Sequence, residues 1–302
     1  MENKGLTLSI IFEAESANYG EGFGNISSLK KMSRGDGYSY SYISRQAMRY
    51  NIIEQLKWSN TPISDADVVA QYEKDTSIKD YPEIDLFGYM KTGDNSINKK
   101  SNIRAATVRL SNAIALENYN SDLDFLTNMA LAKRGNFDNA IAQSEIHKSY
   151  YAYTITIDLD RVGIDEVITE YVKGKEPKKE KIEIEKSERA KRVNDLLKIL
   201  KTLYRDIRGR RENLTPIFII GGVYNIKNPF FENRLRVNKN CLDIKTILNT
   251  INIDKEVKNN TISGYIGNIF NNSKEIEEEL KTKSIPEVFD YLSEEVNKYY
   301  AK

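Results

Sequence analysis

The chain has 302 residues, 40% of them hydrophobic, enough to bury a sizeable core as one elaborated domain. Its 45 basic residues are balanced by 44 acidic ones, so a net charge of +1 excludes a uniformly basic nucleic-acid binder and leaves any such role to local clusters. One cysteine, Cys241, and one histidine, His147, exclude an internal disulfide, a thiolate cluster and a His-rich metal site. No apolar run reaches about 18 residues, and the N-terminus carries no secretory pattern. The expectation is a cytoplasmic protein without a membrane span.

LTLSIIF at 6–12 is short, apolar and β-branched, which predicts a buried strand. The loop 13–25 holds Gly20, Gly22 and Gly24 beside Asn18 and Asn25. Its backbone either approaches a ligand closely or simply turns. Asp36-Gly37 is a turn dipeptide, because glycine takes positive φ without a Cβ clash and aspartate bonds its own backbone. Tyr38, Tyr40 and Tyr42 alternate with Ser39 and Ser41, which puts the rings on one face of a strand. Ser44 is an N-cap for a helix over 44–58 with Met48, Ile52, Ile53 and Leu56 along its stripe. Arg45 and Arg49 fall at the N-terminal end of that stripe. Either they pair with buried carboxylates, or they overhang the core toward an anion favoured by the helix dipole and free amides, or they snorkel over an apolar edge.

Residues 60–102 change character: Pro62, Pro82, acidic groups and a polar stretch at 93–102 predict an insertion between core elements. Ser64-Asp65-Ala66-Asp67 has the composition of a helix start. Asp85-Leu86-Phe87-Gly88-Tyr89-Met90 is an apolar patch with one acid, a docking surface or a small local core. RAATVRLSNAIAL at 104–116 mixes strand and helix signals, and Arg104 and Arg109 are phosphate contacts or surface charge. Residues 124–142 read as irregular or helical, ending near Asn136. SYYAYTITIDL at 149–159 is the clearest strand, with Tyr151, Tyr153, Ile155 and Ile157 on one face and Ala152, Thr154 and Thr156 on the other. Tyrosines that share a face with isoleucines belong to a core rather than to a base-stacking sheet.

The alternating charges of 173–186 predict a solvated linker or hairpin. An amphipathic helix over 188–204 carries Val193, Leu196, Leu197, Leu200 and Leu203. It leads into a basic cluster of Lys201, Arg205, Arg208, Arg210 and Arg211, part of which the helix dipole explains. LTPIFIIGGVY at 214–224 is a second buried strand. Beyond it Phe230 and Phe231 lie between Lys227, Arg234, Arg236 and Lys239. That pattern suits single-stranded nucleic acid, or else a hairpin whose phenylalanines plug a core. A packing helix starts at Ile285-Pro286, with Val288, Leu292 and Val296 on one stripe.

GFGNISSLKKMSRGDGYSYSYISRQAMRY at 22–50 resembles the N-terminal signature of the backbone subunit of type I CRISPR interference complexes (Cascade), above all its subtype I-B branch of DevR or Cst type. The shared pattern is a glycine-containing loop, Lys30-Lys31, the Asp36-Gly37 turn, and Tyr42-Ile43-Ser44-Arg45-Gln46-Ala47-Met48-Arg49. The segments 85–90 and 158–163 are similar to the same branch. The resemblance implies an α+β fold: one domain over 1–302 with a modified ferredoxin-like (RNA-recognition-motif) core, a finger-like insertion at 60–102 and a thumb hairpin at 224–240. Strands near 6–12, 104–111, 149–159 and 214–224 would form its sheet, and helices near 44–58 and 188–204 would cover one face.

By the same resemblance the chain is a non-enzymatic subunit with no cofactor and no metal. Copies of it line up along a CRISPR guide RNA and present the guide to target DNA, beside the cap, large, small and guide-processing subunits of the complex. The guide contacts implied are Lys30, Lys31, Ser44, Arg45, Gln46 and Arg49, then Arg104, then Phe230, Arg234 and Arg236. Two alternatives stand beside this. Backbone subunits of type III complexes cut target RNA with an aspartate after a Gly-Gly pair; the matching position here is Gly24-Asn25-Ile26, without a carboxylate, and a turn role suffices for Asp36. A DevR-like transcription regulator would call for a helix-turn-helix, a zinc finger or a strongly basic helix, none of which the sequence holds.

Overall fold

The computed structural model describes residues 2–22, 24–66, 69–91, 102–170 and 175–302. Its centre is an eight-stranded sheet: β1 (Gly5–Ala14), β2 (Lys31–Ser33), β3 (Ser39–Ile43), β4 (Val108–Leu110), β5 (Ala113–Ala115), β6 (Ser149–Asp158), β7 (Phe218–Tyr224) and β8 (Thr261–Tyr265). The order is β8-β7-β1-β6-β5-β3-β2, with β4 also paired to β6, and every pairing is antiparallel. β1 lies between the two long strands read from the sequence, with Leu8 opposite Ile155 on one side and Gly221 on the other. A Cβ on Gly221 would lie 2.0 Å from the Thr7 carbonyl oxygen, so the pair requires glycine there.

Strand periodicity builds a core on each face. Leu6, Leu8, Ile10 and Phe12 join Tyr151, Tyr153, Ile155 and Ile157 beneath three helices: α1 (Arg45–Leu56), α2 (Lys186–Lys201) and α3 (Ile285–Ala301). Of the stripes expected, α1 buries Met48, Ile52 and Ile53 with Leu56 partly covered, α2 buries Val193, Leu196, Leu197 and Leu200 with Leu203 buried just past its end, and α3 buries Val288, Leu292 and Val296 behind a capping box at Ser284. On the opposite face Ile11, Phe218 and Ile220 pack with Phe231, Leu235 and Phe270 against the helices Ile244–Ile251 and Ser273–Leu280.

The insertion differs from its sequence reading. Ile63–Ala66 is a strand paired with Val69–Tyr72, not a helix start. Cross-strand pairing decides a segment that has no apolar period of 3.6 to bury. Asp67 and residues 93–101 lie outside the described residues. Asp85 sits in the helix Pro82–Phe87 with no exposure, in a local core rather than on a docking surface. Its carboxylate accepts from Arg104 at 2.6 Å, Arg192 at 2.9 Å and the Gly163 amide at 2.9 Å, which ties the insertion to α2 and to the end of β6.

Two further stretches are hairpins. In 173–186, Lys178–Glu183 pairs with Ile164–Glu170; Lys173 and Gly174 lie outside the described residues. Residues 122–146 form the strands Asp122–Thr127 and Ile141–Ile146 around a short helix Met129–Gly135, closed at Asn136 in the left-handed region. This hairpin leaves Phe125, Met129, Leu131 and Phe137 exposed. Residues 224–240 do not project as a hairpin. Phe231 and Leu235 are buried in the second core, and Val237–Asn238 pairs only with Cys241–Leu242. Among the described residues no helix is long and apolar enough to cross a membrane.

Candidate nucleic-acid interface

A cleft of about 1020 Å³ opens between the 34–36 turn, the start of α1, the open part of the sheet and the segment 227–238. Each wall follows from local sequence. Gly37 takes φ 84°, and Asp36 accepts from the Tyr38 amide at 3.0 Å and the Tyr40 hydroxyl at 2.6 Å. The Tyr40 hydrogen bond holds the Asp36 carboxyl below its ordinary range and raises the phenol. Arg34 stacks 4.1 Å above the Tyr40 ring at the cleft edge.

The start of α1 is set by neighbours on both sides. The Ser44 hydroxyl accepts from the Ala47 amide, as its N-cap reading requires, while Asn18 Oδ1 accepts from the Ser44 amide. Between β4 and β5, Ser111 still donates its amide to the Thr154 carbonyl at 2.9 Å and its hydroxyl accepts from the Thr154 amide, while Asn112 Oδ1 accepts from the Arg45 amide at 2.9 Å. Three of the amides left free by the helix itself are therefore satisfied, those of Ser44, Arg45 and Ala47.

The floor is mixed, Ser111, Asn112, Thr154 and Thr156 alternating with Leu110, Ile114, Leu116 and Ala152, and the Ser9 and Thr154 hydroxyls are bonded at 2.7 Å. Five cations line the cleft, Arg34, Arg45, Arg109, Lys227 and Arg236, against Asp36 and Glu232. Arg109 donates to Asp158 at 3.0 Å and Lys227 is paired with Asp160. The guanidinium groups of Arg45 and Arg236 are exposed and have no hydrogen bond or ion pair among the described residues. The cleft thus offers two unpaired guanidinium forks and several hydroxyl and amide groups on a partly apolar floor, and the forks are suited to phosphate oxygens.

The other expected contacts divide. Ser44, Gln46 and Lys30 lie beside the cleft: Lys30 is held by its backbone to Asn18 and Tyr42, and Gln46 is exposed. Arg49 takes the first of its alternatives, pairing with Glu83 at 3.6 Å, bonding the Tyr72 hydroxyl and stacking 5.0 Å from the Phe87 ring, while Arg45 is exposed and unpaired at the cleft. Lys31 is bound to Glu145 at 2.8 Å and lies 4.3 Å over Tyr119. Arg104 is buried between Asp85 and Asp165, with its donors spent on the insertion clamp, so it cannot meet a surface phosphate. Phe230 is half-buried, edge-on to Tyr224 at 5.2 Å, a core plug. Arg234 faces a separate, smaller hollow of about 530 Å³. Arg34 was missed, although it directly precedes the Gly35-Asp36-Gly37 turn that aims it. Among the described residues no group of three or more His, Cys, Asp or Glu side chains is arranged to hold a metal ion.

Residues 6–241 match the family model described as CRISPR-associated negative auto-regulator DevR/Csa2. The chain belongs to this family. Its fold is similar to that of a chain in a CRISPR RNA-guided surveillance complex in a pre-nicking state, with a TM-score of 0.58 at 12% identity over 97% of this chain and 100% of that one. A chain of another CRISPR RNA-guided surveillance complex gives a TM-score of 0.54 at 12% identity, over 96% and 98%. No curated protein matches the sequence. The DevR/Csa2 chain is therefore a CRISPR-associated protein with a mixed α/β fold built on a central antiparallel sheet.

Proposed function

We propose that this DevR/Csa2 chain is the guide-RNA-binding backbone subunit of a type I-B surveillance complex, that it grips the guide's phosphates without reading its bases, and that it performs no catalysis. The observation that carries this reading is that Arg45 and Arg236, exposed and without a hydrogen bond or ion pair among the described residues, line one cleft. Sequence is left to Watson–Crick pairing with target DNA, so the protein needs phosphate contacts and no base platform. The burial of Tyr151 and Tyr153 in the helix-covered core fits that need. A non-catalytic role is supported by Asn25 at the position of the type III aspartate, and by Asp36, whose two oxygens are engaged by Tyr38 and Tyr40.

The core reads as ferredoxin-like: β1, α1, the β4/β5 strand, β6, α2 and β7 follow one another, and the sheet order β7-β1-β6-β4/β5 supports a β-α-β-β-α-β unit. In this reading residues 60–102 are the finger. The thumb role moves from 224–240 to the exposed hairpin at 122–146, whose apolar side chains would meet the next copy along the guide.

The test is co-expression of the tagged chain with neighbouring CRISPR genes and an array, followed by sequencing of the RNA that co-purifies. Guide-length RNA with this chain in excess over other subunits is expected. Arg45→Ala/Arg236→Ala should lower affinity for every guide alike, by about tenfold per lost charge-assisted contact. An RNA-free monomer, or a loss confined to some guides, would sink the reading.

A further inference from the structure

Arg208 lies outside the cleft and has an unusual setting. The hairpin of Tyr204–Ile207 with Arg210–Asn213 turns through Arg208 and Gly209, both at positive φ, 52° and 78°. A two-residue turn of that kind prefers Asn or Gly first, and an arginine there holds a conformation that L-residues avoid. The three other arginines of the hairpin are neutralised: Arg205 by Glu212, Arg210 by Glu15 and Glu212, and Arg211 by Asp206. Arg208 is exposed and has no carboxylate partner among the described residues. Its guanidinium lies 4.2 Å above the ring of Tyr19, at the entrance to the glycine loop.

A guanidinium held over a tyrosine ring spends none of its N–H donors on the contact, which leaves them for a phosphate's oxygens. The neighbourhood leads back to the cleft. Tyr19 bridges to Leu29, and next to it Asn18 donates its amide to Tyr42, accepts from the Lys30 amide at 2.6 Å and accepts from the Ser44 amide at 3.1 Å. The Lys30 side chain runs along Gly20, where a Cβ would stand 3.6 Å from its Cγ.

We propose that Arg208, braced by Tyr19 and accompanied by Lys30, is a second phosphate-gripping station that continues the RNA backbone track beyond the α1 N-cap and across the glycine loop. This rests on the RNA-backbone reading of the cleft. It also accounts for an arginine at a position where backbone strain favours glycine.

The experiment is the salt dependence of binding of a fluorescein-labelled, mixed-sequence single-stranded RNA to the full chain. Wild type is compared with Arg208→Gly, Arg211→Ala and the Arg45→Ala/Arg236→Ala double variant. Arg208→Gly should reduce the slope of log K against log salt by about 1 and weaken binding several-fold, with no fall in melting temperature because glycine relieves the turn. Arg211→Ala, which removes an arginine whose charge is already paired with Asp206 and which lies 4.5 Å over the Tyr204 ring, should leave the slope unchanged. If Arg208→Gly keeps the wild-type slope while the double variant loses affinity, the second station is wrong and the cleft reading stands. If neither changes binding, both fall. A lower melting temperature with an unchanged slope would make Arg208 a structural residue only and overturn the proposal.

Discussion

Asp85 shows how one carboxylate organises three segments. It is fully buried, and the two guanidiniums it neutralises, on Arg104 and Arg192, are nearly so. Removing one charge from such a cluster strands the others in a low-dielectric site, where desolvation is no longer offset by pairing. Asp85→Asn should therefore cost about 3–5 kcal/mol of folding free energy. Urea denaturation should show a lower midpoint with an unchanged slope; a midpoint within error of wild type would show that the cluster is better solvated than its burial implies. The same geometry explains why Arg104 is no ligand contact. At the cleft the opposite holds: among the described residues Arg45 and Arg236 make no hydrogen bond or ion pair, Arg236 feeling only the more distant charge of Asp243, so binding an anion there breaks no existing bond.

At the scale of elements, the hairpin at 122–146 combines regular hydrogen bonding with exposed apolar side chains. Such a surface adds little to the free chain's stability, because its side chains stay in water in the folded state. Phe125→Ser/Phe137→Ser is expected to leave the melting temperature of the isolated chain within about 2 °C of wild type. The same variant should reduce the cooperativity of assembly on long RNA, read by sedimentation, while binding of one copy to short RNA is unchanged. Equal cooperativity in wild type and variant would remove the hairpin from the subunit contact. The start of α1 makes a related point: Asn112, between β4 and β5, accepts from the Arg45 amide, so the sheet helps to place the site.

For the molecule as a whole, stability should depend on pH through its single histidine. His147 is buried, with its Nδ1 2.7 Å from the Ser41 hydroxyl and its ring edge-on to Tyr119, and burial holds its imidazole below the ordinary value. The unfolded chain, with an ordinary histidine near about 6.5, takes up the proton first as pH falls. Stability is therefore undiminished above about pH 6.5 and declines as pH falls below it, levelling only once the folded imidazole also titrates. His147→Gln should flatten this part of the profile in denaturation curves between about pH 5 and 7, whereas a slope that persists in the variant would assign it to carboxylates.

The sequence by itself determined the long strands, the three covering helices, the Asp36-Gly37 turn and the Ser44 cap. Each of these is a local pattern: a period of two, a stripe of 3.6, or a side chain that satisfies its own backbone. The motif at 22–50 also placed the family, and two of the cleft's guanidiniums, Arg45 and Arg236, were among its readings. Only the tertiary structure decided which arginines are free. Arg45 and Arg49 are four residues apart on one helix, yet Glu83 and Phe87 from the insertion claim one and leave the other open. Arg104 reads as a phosphate contact or surface charge until Asp85 is brought between it and Arg192. Phe230 and Phe231 have the composition of a binding tract but pack into the core formed with the helices at 244–251 and 273–280. The hairpin at 122–146 was missed because its apolar residues face water, and without burial on one side its strands carry no clear alternation. Charge availability and exposure depend on which distant groups a side chain meets, and those meetings are set by chain topology rather than by spacing along the sequence.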